Sequence, residues 1–481
     1  MATDPRGLRV DAPLLDAWLR FQEQAPTPFT IPGHKHRHDL VGDVVAGDVP
    51  LYAGLDTMKL SAGVLADAEA RAARLWGADM CRFSVGGATQ ANQAIALALA
   101  ETEGRRVVVG RTLHRSTLIG LVLAGLTPVW VRPDVDAATG LPLGVPPTAV
   151  AAALAAAPDA SAVLVADPSY VGTVGDVAGL ADVAHARGVP LVVDAAWAAH
   201  LGFHPGLPRH ALQLGADAMV VSAHKTLPAW SQAALVLAQT ERIDPARLDA
   251  GVEATSTTSP AGAILASIDA ARALIERDGA DLLGSAMAAV QGARDRLTAV
   301  DGLVVLDGPS VDPLKLTLVL SGTGAHGVAV EDDLIAAGLP VEAAERDLIV
   351  AQVSLADTTA SLTRLVDTVV ASIDRHRSAP RPVVTGAAYS VDPVTVLSPR
   401  AAFLDEAEVV PVARAVGRVC AELVAPYPPG IPVLAPGEEV TAAALDALRR
   451  ARADGVRVAY AADPTMATLR VVSGPAASGS G

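Results

Sequence analysis

The chain has 481 residues, 37 basic against 52 acidic side chains and a formal net charge of −15. At roughly 100–200 residues per domain this length predicts two to four domains, and a composition that is 51% apolar but only 3% aromatic leaves Ala, Val and Leu to fill their cores. Such a chain is neither disordered nor collagen-like, and its acidity argues against a nucleic-acid or anionic-membrane partner, which needs a basic face.

The spacing of Leu14, Leu15, Trp18 and Leu19 predicts a helix over 10–25, after which Pro26, Pro28 and Pro32 force an extended loop. Residues 64–77 read as a second helix that stops at Gly77. From there short β-branched runs alternate with Ala-rich helical ones: 106–110, 127–131, 161–166, 190–194, 217–222 and 233–238. Continuous apolar runs of this length mark strands buried on both faces. The alternation therefore predicts an α/β fold with a mainly parallel central sheet, helices on both faces and a ligand crevice at the carboxyl ends of the strands.

A long helix is expected over 260–298, followed by a smaller α/β segment with strands near 303–306, 315–320 and 347–353. The Pro-, Gly- and Ser-rich stretch 376–393 reads as a boundary before a third unit. The expected organisation is an N-terminal helix and arm (1–40), a large domain (41–298), a small α/β domain (299–378), a C-terminal α+β domain (390–472) and a flexible tail (473–481). Cys81 and Cys420 are too few for a disulfide framework or a four-cysteine zinc site and read as buried small hydrophobes. No secretory signal and no membrane-spanning run is visible, so a cytoplasmic protein is expected.

Four lysines, Lys35, Lys59, Lys225 and Lys315, exhaust the candidates for lysine chemistry. Asp194 ends the run PLVVD, and DAMVVS leads into SAHK at 222–225. If those strands are close neighbours, the Asp194 carboxylate and the Lys225 amine emerge at one end of the sheet. That pairing suits pyridoxal phosphate (PLP), whose aldehyde forms a Schiff base with lysine and whose pyridine nitrogen needs an anion. It suits an ordinary loop ion pair equally well. Gly86 and Gly87, with Thr89 just beyond, open an Ala-rich helix whose free N–H groups could cradle phosphate, or could be only a turn. His114 follows the first of these runs, RVVVG, and reads either as a ring stacked on a cofactor or as a satisfied loop histidine. The run PGHKHRH (32–38) lacks an acidic or cysteine partner at ligand spacing, so no metal is expected.

Taken together, PGHK (32–35), GGATQAN (86–92), LHRSTLIGLVLAGLTPVWV (113–131), DAAWAAH (194–200), SAHKTLP (222–228), TTSP (257–260), SPRAAF (398–403) and YPPGIPVLAPGEE (427–439) resemble the Orn/Lys/Arg decarboxylase family. These are PLP enzymes of fold type I, and the resemblance runs from about residue 28 to 471, with the length of the compact bacterial branch.

The resemblance implies that Lys225 carries the Schiff base beside His224, that Asp194 pairs with the pyridine nitrogen, and that His114 and Ala196 flank the ring. It places the phosphate on Ala88, Thr89, Gln90 and Ser222, with Thr258 reaching the site of a partner subunit in a homodimer or larger homo-oligomer. The implied reaction is decarboxylation of a basic amino acid, arginine before lysine or ornithine, to an amine that feeds polyamine metabolism. Glu438, Glu439 and Glu342 are the candidates for its distal cation. Three departures stand out: Ala195 and Trp197 replace a Glu and a His of the compact branch, Ala88 replaces a hydroxyl residue, and Ala261-Gly262 replaces Ser-Tyr. The alternatives are another fold type I reaction (aminotransferase or C–S lyase) and a regulatory homologue with altered catalysis. A nicotinamide-binding Rossmann enzyme is disfavoured by the missing glycine fingerprint.

Overall fold

The computed structural model describes residues 3–24, 31–35, 37–49, 62–100, 105–427 and 430–474. The loop expected at Pro26 and Pro28, residue Lys59, the two prolines 428–429 and the tail beyond 474 lie outside the described residues.

The central sheet has seven strands: β1 (Met80–Ser84), β2 (Arg106–Gly110), β3 (Thr127–Val131), β4 (Val163–Ala166), β5 (Leu191–Asp194), β6 (Ala218–Ser222) and β7 (Ala234–Ala238). Their order across the sheet is β1-β7-β6-β5-β4-β2-β3. Strands β2 to β6 pair in parallel, whereas β7 runs antiparallel between β6 and β1. The link from β6 to β7 is only residues 223–233, too short for the crossover a parallel pair needs, so the chain must turn back on itself. The edge strand β1 was not expected. Its run MCRFS is broken by Arg82, which is half-buried and pairs with Asp249 at 2.7 Å.

The strands are buried on both faces, as their unbroken apolar runs require. Val107 and Val109 pack with the helix Gly87–Leu99, while Val108 belongs to the cluster on the other face. That second cluster runs without a break from Leu14, in the helix Pro13–Gln24, through the long helix Gly262–Thr298 to Ile373 in the helix Thr359–His376. It takes in the small antiparallel sheet β10-β11-β9-β8, made of β8 (Val304–Val305), β9 (Lys315–Val319), β10 (Ala343–Glu345) and β11 (Leu348–Gln352). Residues 388–471 enclose an apolar cluster of their own around the helix Ala442–Ala453 and two short ladders. Both cysteines are buried and free.

No described helix is long and apolar enough to cross a membrane.

Candidate active site

Asp194 is the last residue of β5 and pairs in register with Val220, two positions before the end of β6 at Ser222. The parallel register thus brings the ends of both strands to the same rim of the sheet. The single-turn helix Ala223–Thr226 that follows carries His224 and Lys225 into a cavity of about 480 Å³ at that rim. Ala88, Thr89, His114, Asp194, Ala196, Trp197, Ser222, His224 and Lys225 all line it. The crevice therefore lies where an α/β sheet is expected to hold its ligand.

Asp194 is held from two sides. Its Oδ2 accepts from Asn92 Nδ2 at 2.8 Å and its Oδ1 from the Ala196 N–H at 3.3 Å. Asn92 spends its second amide hydrogen on Ser116 Oγ at 3.0 Å. Ser116 Oγ lies 2.8 Å from His114 Nδ1, which also accepts the Ser116 backbone N–H as the cap of the helix Arg115–Ala124. Because Nδ1 accepts, a neutral His114 carries its proton on Nε2. Burial keeps this imidazole below the usual histidine range, against the opposing charge of Asp194. Neither Asn92 nor Ser116 was singled out in the sequence. The signal was their place on the helices after GGATQ and after His114, but nothing local says that these helices meet.

Lys225 is half-buried. Desolvation lowers the pKa of its ammonium, with Asp194 and Glu342 pulling the other way. Its Nζ sits 4.0 Å from the centre of the Trp197 ring, which packs edge-on against Tyr170 at 5.6 Å. A second amine, Lys315 Nζ, lies 3.5 Å from the same ring, with no hydrogen-bond partner among the described residues. His224 donates from Nδ1 to the Ala233 carbonyl at 2.9 Å, leaving Nε2 as the unprotonated nitrogen of a ring whose pKa burial depresses.

At the Gly-Gly turn the first-turn donors can be followed one by one. Gly86 N–H goes to Gln90 Oε1 at 2.9 Å and Gly87 N–H to the Gln232 carbonyl at 2.8 Å, whereas those of Ala88 and Thr89 have no such partner among the described residues. Gly87 has a φ of 70°, the left-handed conformation that favours glycine. Ser222 Oγ is buried, lines the cavity and is also unpartnered.

Two predicted site residues stand outside this cavity. Gln90 does not line it; its side chain braces the turn and donates to Ser256 Oγ at 2.7 Å. Thr258 is exposed on the turn before the long helix. Ala195 faces the apolar cluster, so the missing Glu leaves no gap in the cavity wall.

The acidic candidates divide. Glu438 is buried in a pair with Arg111, whose Nη2 donates to Oε2 at 2.8 Å beneath the Trp130 ring. Glu439 does not line the cavity, and Glu342 is exposed, 3.4 Å from the Tyr170 hydroxyl. Of the histidine run, His34 lies 3.3 Å from Asp48, while His36 lies outside the described residues.

The family model described as Orn/Lys/Arg decarboxylase, major domain, matches residues 12–312, and that of the C-terminal domain matches 383–456. An arginine decarboxylase of Halalkalibacterium halodurans is 32% identical over 96% of this chain and 97% of its own length. One from Bacillus subtilis is 28% identical over 96% and 98%. Among solved structures, lysine decarboxylase A from Pseudomonas aeruginosa superposes with a TM-score of 0.80 at 22% identity, covering 96% of this chain and 80% of that one.

Proposed function

This chain belongs to the Orn/Lys/Arg decarboxylase family, and on that premise we propose that it releases CO2 from a basic amino acid with PLP as cofactor, arginine ahead of lysine and ornithine. The observation that carries the reading is the convergence of Lys225, Asp194 and His114 on one cavity beside a helix start with open donors. Arginine is favoured because the two relatives named above, matched over nearly their whole length, are arginine decarboxylases.

The residues present fit the cofactor. The N–H groups of Ala88 and Thr89 and the unpartnered Ser222 hydroxyl form a set of donors suited to a phosphate dianion. When bound, PLP supplies an electrophilic aldehyde and a ring that accepts the electron pair left by departing CO2. Asp194 would hold a proton on the ring nitrogen, and Asn92 and the Ala196 N–H keep the carboxylate in place for it. Lys225, whose ammonium burial destabilises, presents a neutral Nζ as nucleophile at lower pH than a free lysine. His114, a neutral ring whose orientation is set by Ser116, would be the residue to stack on the cofactor. The substrate Cα must then gain a proton, which Lys225 Nζ or His224 Nε2 would supply after first taking one from the incoming substrate ammonium or from solvent.

We assign Thr258, exposed and outside its own chain's cavity, to the phosphate of a second copy in a cytoplasmic homodimer or larger homo-oligomer. The amine product would enter polyamine synthesis. The test is CO2 release from arginine, lysine and ornithine by purified protein with PLP. Release from one of them, arginine first, is expected; release from none by cofactor-loaded protein would overturn the reading.

A further inference from the structure

A second cavity, of about 330 Å³, lies where the large sheet, the small sheet and the C-terminal unit meet. It shares Tyr170, Tyr389 and Ile431 with the active-site cavity, so these three side chains form both the far wall of one and the near wall of the other. Three acids line it. Asp347 is paired with Arg346 at 2.7 Å and Arg381 at 2.6 Å, and Asp454 with Arg346. Glu345, the last residue of β10, has neither a hydrogen bond nor an ion pair through its side chain among the described residues.

We infer that Glu345 is the specificity-determining residue that receives the distal cation of the substrate, drawn through the Tyr170–Tyr389 wall from the reacting end. The inference rests on the proposed decarboxylation of a basic amino acid. Lys225 Nζ, the reacting end, is 4.0 Å from the centre of the Trp197 ring, itself 5.6 Å from the Tyr170 ring. An extended arginine side chain carries its guanidinium about 6 Å from Cα, a length that takes it away from the reacting end towards the shared wall of Tyr170 and Tyr389 only if the substrate points that way. Glu345 is half-buried and its carboxylate is free of partners among the described residues, so a guanidinium with two parallel donors would find both oxygens available. The other acids are less suited: Glu438 is committed to Arg111, and Glu342 is exposed and already contacts the Tyr170 hydroxyl.

The same geometry gives the site a pH signature. Burial, with the charge of Asp347 adding to it, pushes the Glu345 carboxyl up to about 7. The other groups facing it are the Tyr389 hydroxyl, which burial and then Glu345 itself push up, and Tyr170. Arg346, next in the chain, is spent on Asp347 and Asp454. A cation binds the ionised carboxyl, so docking should expel a proton below pH 7, and affinity should rise as pH climbs through that value.

The probe is 5-guanidinopentanoate, which is arginine without its α-amine and cannot react with the cofactor; pentanoate is the control. Calorimetry on the PLP-loaded protein, in two buffers of different ionisation enthalpy, reads affinity and proton release together. Wild type should bind the guanidino acid, release a fraction of a proton at pH 6.5, and prefer it to pentanoate. Glu345→Gln should weaken binding about tenfold to hundredfold and abolish both the proton release and the pH dependence, with the cofactor spectrum unchanged. Equal binding by Glu345→Gln would overturn the inference, as would wild-type binding without proton release, a measurement that stands even if the variant does not fold. CO2 release by wild type is scored separately, so failure of the reaction and failure of Glu345 are distinguishable.

Discussion

The two ends of the active-site cavity are built on different terms. At the sheet end, both oxygens of Asp194 are answered, and Asn92 and Ser116 link that carboxylate to His114. At the junction end, Tyr170, Tyr389 and Ile431 come from three separate parts of the chain, and the carboxylate beside them, Glu345, is unanswered. One carboxylate is held in its charged geometry before anything binds. The other is left for a ligand to satisfy. Reaction chemistry rewards the first arrangement, because oriented charge need not reorganise during the step, while selection among substrates rewards the second.

The largest expected effect tests the sheet end. Lys225→Ala should remove the visible absorbance of covalently attached cofactor and cost turnover on the order of 10⁶-fold; a variant that keeps the band would break the assignment. Asp194→Asn should retain cofactor yet slow turnover by about 10²–10⁴-fold in single-turnover kinetics, and a near-normal rate would deny Asp194 its task.

Glu438→Gln sharpens the contrast between ends. It leaves Arg111 buried and unmatched, so it should cost about 3–5 kcal/mol in urea denaturation while KM stays unchanged. Replacing Arg111 by Met in the same chain should recover most of that loss. A raised KM at undiminished stability would instead make Glu438 the partner of the distal cation.

The smallest effect concerns Lys315. Burial lowers its ammonium to about 7, despite the opposing charges of Asp312 and Glu342. Because the folded value lies below that of free lysine, the destabilisation is fully present below pH 7 and is relieved as pH rises towards 10. Lys315→Met should therefore be more stable by about 1–3 kcal/mol at pH 6.5, with a flatter climb towards pH 10 in thermal melts. An unchanged slope would show that Lys315 does not carry that dependence.

Much of the sheet, and the placing of Asp194 and Lys225 at strand ends, was readable from the chain alone. Unbroken apolar runs place β2 to β6, and Asp194 and Lys225 each stand at or just beyond a strand's end, while the parallel pairing of β5 with β6 brings both to one rim. The Gly86-Gly87 turn into an Ala-rich helix is likewise a local signal. Tertiary structure alone added β1 as the edge strand, joined Asn92 and Ser116 into the relay behind Asp194 and His114, and spent Glu438 on Arg111, 327 positions away. It also isolated Glu345, three residues from the Glu342 that the chain offered as candidate. Periodicity and turn chemistry are set by near neighbours in the chain. Whether a buried charge is answered depends on side chains that arrive from hundreds of residues away, and no local pattern records them.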